Sequence, residues 1–195
     1  FLSRITLDKF RELPARLVVL GGGPIGCELA QSFARFGSRV TQVEMAPRLL
    51  FREDPEVSAL VAEGFAAEGI DVRVGHKALR FEQSDGQRVL IAEHQGAEVR
   101  IAFDQVLLAL GRSPNTAGYG LEEMGIATTA ARTVEVDGFL RTRFPNIFAC
   151  GDVAGPYQFT HTAAHAAWFA AVNALFGRFK QFPVDWSVVP WCTFT

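Results

Sequence analysis

Along the first part of the chain, short apolar runs alternate with stretches whose apolar residues recur every three or four positions. Leu17, Val18, Val19 and Leu20 form one unbroken run, as expected of a strand buried on both faces of a parallel sheet. Beyond three glycines, Ile25, Leu29, Phe33 and Phe36 fall at helical spacing, and Gly37 is placed to end that helix. RVTQVE at 39–44 predicts a second strand. Asp54 before Pro55 reads as an N-cap with proline at the first helical position. Val57, Leu60, Val61 and Phe65 mark one apolar face, Gly69 is the stop, and IDVRV at 70–74 alternates like a strand. Such β-α-β-α-β units wind right-handed into a parallel sheet.

The period then shortens to two. ALRFEQ (78–83) and RVLIAE (88–93) flank SDGQ, whose Asp85-Gly86 pair signals a hairpin, and HQG leads into a third strand, AEVRIAF. Residues 77–103 therefore predict an antiparallel meander inserted into the parallel domain. QVLLAL (105–110) returns as an apolar strand and stops at Gly111. Beyond it the pattern loosens. It predicts a short helix near Leu121 to Met124, strands at 139–142 and 147–150, and an alanine-rich helix over 162–176 ended by Gly177. The aromatic tail from residue 182 is too short to pack alone, and its apolar surface asks for a cover.

Composition narrows this picture only by exclusion. The 195 residues suffice for one large domain or two small ones, and 49% hydrophobic with 21% charged residues is ordinary for a globular protein. A net charge of −2 without a lysine or arginine cluster speaks against a nucleic-acid partner. No apolar run is long enough to span a membrane, and FLSRITLDKFREL at the start lacks the pattern of a signal peptide. Cys27, Cys150 and Cys192 are scattered, with no CxxC or CxxxxC, so a reducing cytoplasm is the expected compartment.

Gly21, Gly23 and Gly26 fit GxGxxG between a predicted strand and a predicted helix. The first glycine permits the tight turn, the second lets a pyrophosphate approach the backbone, and the third lets helix and strand pack closely. Free N–H groups and the positive dipole end of the helix then face the phosphates. Glu44 ends the second strand eighteen residues after Gly26, where an acid accepts hydrogen bonds from an adenosine ribose and repels a 2′-phosphate. NAD is thus expected over NADP, although Arg48 lies close enough to blur the preference. The plainer alternative is a tight strand–helix turn followed by a solvated glutamate.

NIFACGD at 146–152 sets Asp152 at the carboxyl end of an apolar strand, where ligands bind in α/β proteins. The following residues run into the N-terminus of the last helix, which suits an electron-rich ligand group. An aspartate capping a loop is the alternative. Cys27 and Cys150 read as small core residues, and Trp168 and Phe169 as packing. His161 and His165 have the i, i+4 spacing of a metal pair, yet neither HExxH nor a third ligand accompanies them, and no metal is expected.

GGGPIGCELA, LALGRSPNT and TRFPNIFACGDVAG, in this order, resemble the pyridine nucleotide–disulfide oxidoreductases, the family of dihydrolipoamide dehydrogenase, glutathione reductase and mercuric reductase. The resemblance runs from about Leu13 to the C-terminus, and LLFREDPEV and YQFTHTAA are most similar to the mercuric-reductase-like branch. It implies an α/β chain: a Rossmann-like parallel sheet with an inserted antiparallel meander, then a partial second domain of the FAD/NAD type. The implied boundaries are 14–112 for the NAD-binding domain, 113–180 for the second half of an FAD-binding domain, and 181–195 for a linker to an absent interface domain.

The resemblance also implies site residues. Gly21, Gly22, Gly23, Pro24, Ile25, Gly26, Glu44, Ala78 and Gly111 would contact NAD. Gly151 and Asp152 would hold FAD through its ribityl chain, with Thr160 and His161 near the flavin's pyrimidine edge. Glu28 matches a supporting glutamate beside the nicotinamide whose lysine partner is not in this chain. Two residues depart from the pattern. Pro24 stands where glutathione reductase has a gating tyrosine, and Glu44 stands where the NADPH-using mercuric and glutathione reductases carry a basic residue, which implies that the protein is neither.

The implied function is part of a flavoprotein oxidoreductase that passes hydride from NADH to FAD and then to a disulfide or similar small-molecule acceptor, as a homodimer. This chain, without a CxxxxC or a flavin-binding first half, would be inactive alone. Two alternatives stand beside it: an NADH oxidase or NADH:quinone-type flavoprotein without a redox disulfide, and a dinucleotide-binding module without turnover.

Overall fold

The computed structural model describes residues 12–84 and 86–195. The chain divides into two compact units, one ending at Gly111 and taking in Cys192–Thr195, the other running from Arg112 to Trp191.

The first unit is built on a four-stranded parallel sheet in the order β3-β2-β1-β7, with β1 at Arg16–Leu20, β2 at Arg39–Val43, β3 at Asp71–Arg73 and β7 at Gln105–Leu108. The alternation of β1 explains its unbroken apolar run. Leu17 and Val19 pack with Cys27 and Ala30 of α1 (Pro24–Arg35) and Phe65 of α2 (Pro55–Ala67). Val18 and Leu20 pack the other way, onto Leu90, Ile101 and Phe103 of an antiparallel meander. That meander, β4 (Lys77–Ser84), β5 (Gln87–His94) and β6 (Ala97–Phe103), is the expected insertion, and it covers the sheet face that the helices leave open. Asp85 of its hairpin signal lies outside the described residues, as does most of the N-terminal FLSRITLDKFREL. The β5–β6 turn has Gln95 and Gly96 at φ 53° and 81°, the paired left-handed geometry that matches strand twist.

Both helix stops act as read. Gly37 (φ +106°) and Gly69 (φ +77°) let Ser38 N–H and Ile70 N–H reach back to Phe33 O and Phe65 O. Asp54 is the N-cap of α2 through its backbone, since its side chain makes no capping bond. At the start of the central strands, the Asp104 carboxylate accepts the backbone N–H of Arg16 at 2.7 Å and pairs with its guanidinium at 2.7 Å.

The second unit holds α3 (Thr160–Phe176), a single 3-10 turn at Gly151–Val153 and little other regular structure. The short helix expected near Leu121 to Met124 is a hydrogen-bonded turn instead. It is closed by Gly120 and Gly125 at φ +87° and +64°, which leave too few residues to propagate a helix. The strands expected at 139–142 and 147–150 reduce to one bridge, Arg141 with Phe148. Leu140 at φ +66° breaks the extended run on one side, and Pro145 lies in the turn. The last helix begins two residues earlier than its alanine pattern suggested, with the Thr162 hydroxyl exchanging hydrogen bonds with Phe159 N–H and O.

Part of the tail finds a surface. Val184 and Trp186 join Leu140, Ala166 and Ala170 in a small core, and the Asn173 amide bonds both backbone groups of Phe182 at 2.8 Å. Trp191 and Phe194 stay exposed, as does Trp168, although its ring meets Phe169 and Phe182 edge-on.

Candidate functional site

The glycine turn carries chemistry because of where its missing side chains point. A Cβ on Gly21 (φ +110°) would lie 2.4 Å from Ala109 O, and one on Gly26 would lie 2.1 Å from Gly21 O. Both glycines are therefore set by backbone packed against backbone. Gly23 is different: a Cβ there would meet nothing within 4 Å, so its open face is free for a ligand to approach. Gly23 is also the N-cap of α1, and Pro24 at N1 brings no N–H of its own. The N–H groups of Ile25 and Gly26, at N2 and N3, have no carbonyl four residues back inside the helix. No acid sits in the first helical turn to compete for them. This cradle fits a pyrophosphate.

Glu44 follows β2 and turns its carboxylate onto the same turn. Oε2 accepts Gly22 N–H at 2.5 Å and Oε1 accepts Ala46 N–H at 2.6 Å, and each oxygen keeps a lone pair for a ribose hydroxyl. The backbone carbonyl of Glu44 accepts His76 N–H at 2.9 Å, so Ala78, at the exposed start of β4, is carried two residues from this edge. Arg48 is engaged within its own loop. Its Nη2 donates to Phe51 O at 2.8 Å and Glu53 O at 2.9 Å, its guanidinium lies over the Phe51 ring, and its Nε is buried without a partner. Gly111 (φ +104°) ends this unit with open space where a Cβ would be.

Two buried groups support the turn. Gln42, fully buried in β2, donates through Nε2 to Gly21 O at 3.0 Å and to Cys27 Sγ at 3.6 Å. Sequence reading passed over it, although a glutamine within an otherwise apolar strand was the available signal. Burial pushes the Cys27 thiol up to about 11, against the hydrogen bond from Gln42 and with Glu44 and Glu28 raising it further. It is a packed core group, not a nucleophile. Glu28, on the next turn of α1, accepts the N–H of Phe194 at 3.1 Å, and Gln31 accepts the Thr195 hydroxyl at 2.9 Å.

In the second unit, Asp152 lies in the 3-10 turn and pairs with Arg112 at 3.3 Å, while Arg112 also donates to Gln158 O. Arg112 is a second residue that sequence reading left out, although it sits inside the quoted LALGRSPNT. Gly151 (φ +77°) comes close to Ala163, to whose side chain a Cβ would stand at 3.2 Å, so the turn seats against α3. Thr160 and His161 open α3, with the His161 ring stacked on Phe159. Part of the Asp152 carboxylate is exposed and fits a hydroxyl-rich ligand beside that helix start. His165 lies edge-on to Phe169 and Trp186, and no group of three metal-ligating side chains occurs among the described residues. Among those residues no helix is long and apolar enough to cross a membrane.

Comparison with known proteins gives one consistent neighbourhood. Residues 4–167 match the family model for pyridine nucleotide-disulphide oxidoreductases. The chain is 40% identical over 164 residues to a dihydrolipoyl dehydrogenase of Thermus scotoductus, covering 83% of this chain and 36% of that protein. It is 38% identical over 196 residues to a mercuric reductase of Streptomyces lividans, covering 100% of this chain and 40% of that one. Among solved structures, the HOCl-induced flavoprotein disulfide reductase RclA of Escherichia coli superposes with a TM-score of 0.84 at 34% identity, over 94% of this chain and 41% of that chain. The chain thus spans about two fifths of the length of the relatives it matches.

Proposed function

The chain belongs to the pyridine nucleotide-disulphide oxidoreductases, and from that premise we propose that its first unit binds NADH in preference to NADPH. Proteins of the dihydrolipoyl dehydrogenase and mercuric reductase type use FAD and NAD(P)H. The observation that carries the reading is the open face at Gly23, with the Glu44 carboxylate on the same turn. Gly23 lets the pyrophosphate approach, and the N–H groups of Ile25 and Gly26 donate to it. Glu44 accepts from the adenosine ribose, where its charge repels a 2′-phosphate. The commitment of Arg48 to Phe51 O and Glu53 O supports the same preference.

In a protein of the length of those relatives, bound FAD and NADH would supply hydride transfer from nicotinamide to flavin and onward to a disulfide or similar small-molecule acceptor. There Glu28 would lie beside the nicotinamide, Asp152 would accept a ribityl hydroxyl, and the α3 start at Thr160 and His161 would face the flavin's electron-rich edge. The family resemblance supports this part of the reading, together with a homodimer in the cytoplasm. Titration of the chain with NADH and NADPH, followed by nucleotide fluorescence, tests the core of it. NADH is expected to bind more tightly. No binding of either, or tighter NADPH, overturns the reading.

A further inference from the structure

Three glycines stand in a row at 21–23, whereas a GxGxxG turn asks for only two of them. The middle one has its own reason. A Cβ on Gly22 would lie 2.9 Å from Glu44 Cγ and 2.8 Å from Leu49 Cδ2. The Gly22 residue is gripped on both sides: Glu44 Oε2 accepts its N–H at 2.5 Å, and its carbonyl accepts Leu50 N–H at 2.7 Å and the Cys27 thiol at 3.5 Å. The other Glu44 oxygen takes Ala46 N–H at 2.6 Å, which folds the 44–50 segment back onto the turn.

We propose that Glu44 is a positioning residue for the phosphate-binding turn, holding the Gly22 peptide in place before any nucleotide arrives, in addition to any contact it makes with ribose. The inference rests on the dinucleotide reading above. Its physical content is that a carboxylate accepting a backbone N–H forms a charge-assisted hydrogen bond, stronger than a neutral one. The bond to the Gly22 N–H fixes the plane of the Gly21–Gly22 peptide, and Leu50 N–H on the Gly22 carbonyl fixes the next one, which leads into Gly23, the residue whose open face receives the ligand. A group that reads ribose alone affects only nucleotides that have ribose hydroxyls. A group that also holds the turn affects the binding of any pyrophosphate.

The test is Glu44→Gln in the full chain, titrated with NADH and with NADH whose adenosine is 2′,3′-dideoxy. Gln keeps the length and one acceptor but places an N–H₂ against one of the two amide donors. If Glu44 holds the turn, the variant loses about tenfold or more in affinity even for the dideoxy analogue. Equal affinity of wild type and variant for that analogue overturns the proposal. The Gly22 amide proton, followed by NMR without nucleotide, gives a readout independent of binding. It is expected to exchange slowly and to resonate downfield in the wild type, and to move upfield in the variant. An unprotected, unshifted Gly22 amide in the wild type overturns the proposal even if the variant fails to fold. Wild-type protein that binds neither nucleotide refutes the dinucleotide reading instead, and the amide measurement still decides whether Glu44 anchors the turn.

Discussion

A Cβ on Gly26 would stand 2.1 Å from the carbonyl oxygen of Gly21, the first glycine of the same turn. Neither partner has a flexible end to move, because the contact is with backbone. Gly26→Ala must therefore push α1 away from β1 or distort the turn. Overpacking of this kind costs about 3 kcal/mol, and the thermal midpoint should fall by roughly 10 °C. A melt within a degree or two of wild type would show that the helix and strand are not packed as described.

Gly23→Ala separates ligand approach from folding. Its added Cβ meets nothing within 4 Å, and Gly23 has φ −78°, a conformation open to any residue. The variant should melt with the wild type yet lose most of its NADH affinity, because the methyl group would stand on the face proposed for the pyrophosphate. Unchanged NADH affinity in a folded Gly23→Ala protein would remove the ligand from this turn.

The three cysteines should react on different terms. Burial raises the Cys27 thiol to about 11, so at pH 8 only about a thousandth of it is thiolate. Cys192 is exposed and Cys150 is intermediate. A disulfide reagent at pH 8 should label Cys192 first in the native chain, and Cys27 only on unfolding. Prompt native labelling of Cys27, located by mass spectrometry, would contradict the packing around Gln42 and Gly22.

Asp104 should shape the acid side of the stability curve. Its hydrogen bond from the Arg16 guanidinium, helped by the Arg16 backbone N–H, holds its carboxyl below the usual carboxylate range. A depressed folded value stabilises above the unfolded pKa of about 3.9 and loses that contribution as pH falls through the folded value. Asp104→Asn should therefore be less stable than wild type at neutral pH, with the gap closing below about pH 4. Denaturant melts across pH 2.5 to 7 would show this, and a gap independent of pH would refute it.

How far the sequence reached depended on where periodicity was strong. The β1 run, the stop glycines at 37 and 69 and the meander were legible because each rests on local pattern and turn chemistry. The second unit was not. Leu140 takes φ +66° because the Asp137 carboxylate accepts the N–H groups of Phe139 and Arg141 and closes a turn there, which the strand-like pattern expected over 139–142 does not register. The candidate site divides the same way. The glycines announce themselves by identity, whereas Gln42 and Arg112 act through partners 21 and 40 residues away, which no local pattern encodes.

Arg48 is where cofactor choice is most sharply testable. Its position four residues after Glu44 suggests a guanidinium ready for a 2′-phosphate, the contact that would favour NADPH. In the structure that guanidinium is engaged with Phe51 O at 2.8 Å and Glu53 O at 2.9 Å, and it covers the Phe51 ring at 4.9 Å. To reach a phosphate it would have to release two carbonyl acceptors and a cation–π contact. The charge-assisted hydrogen bonds alone are worth about 1.5–3 kcal/mol each. Meanwhile Glu44 would oppose the phosphate throughout. Arg48→Ala should thus loosen the 48–53 loop and lower the melting point modestly, while leaving the ratio of NADH to NADPH affinity within about twofold, far inside the tenfold that 1.4 kcal/mol would give. A selective loss of NADPH affinity in this variant, with NADH unchanged, would show that Arg48 leaves its loop for the ligand.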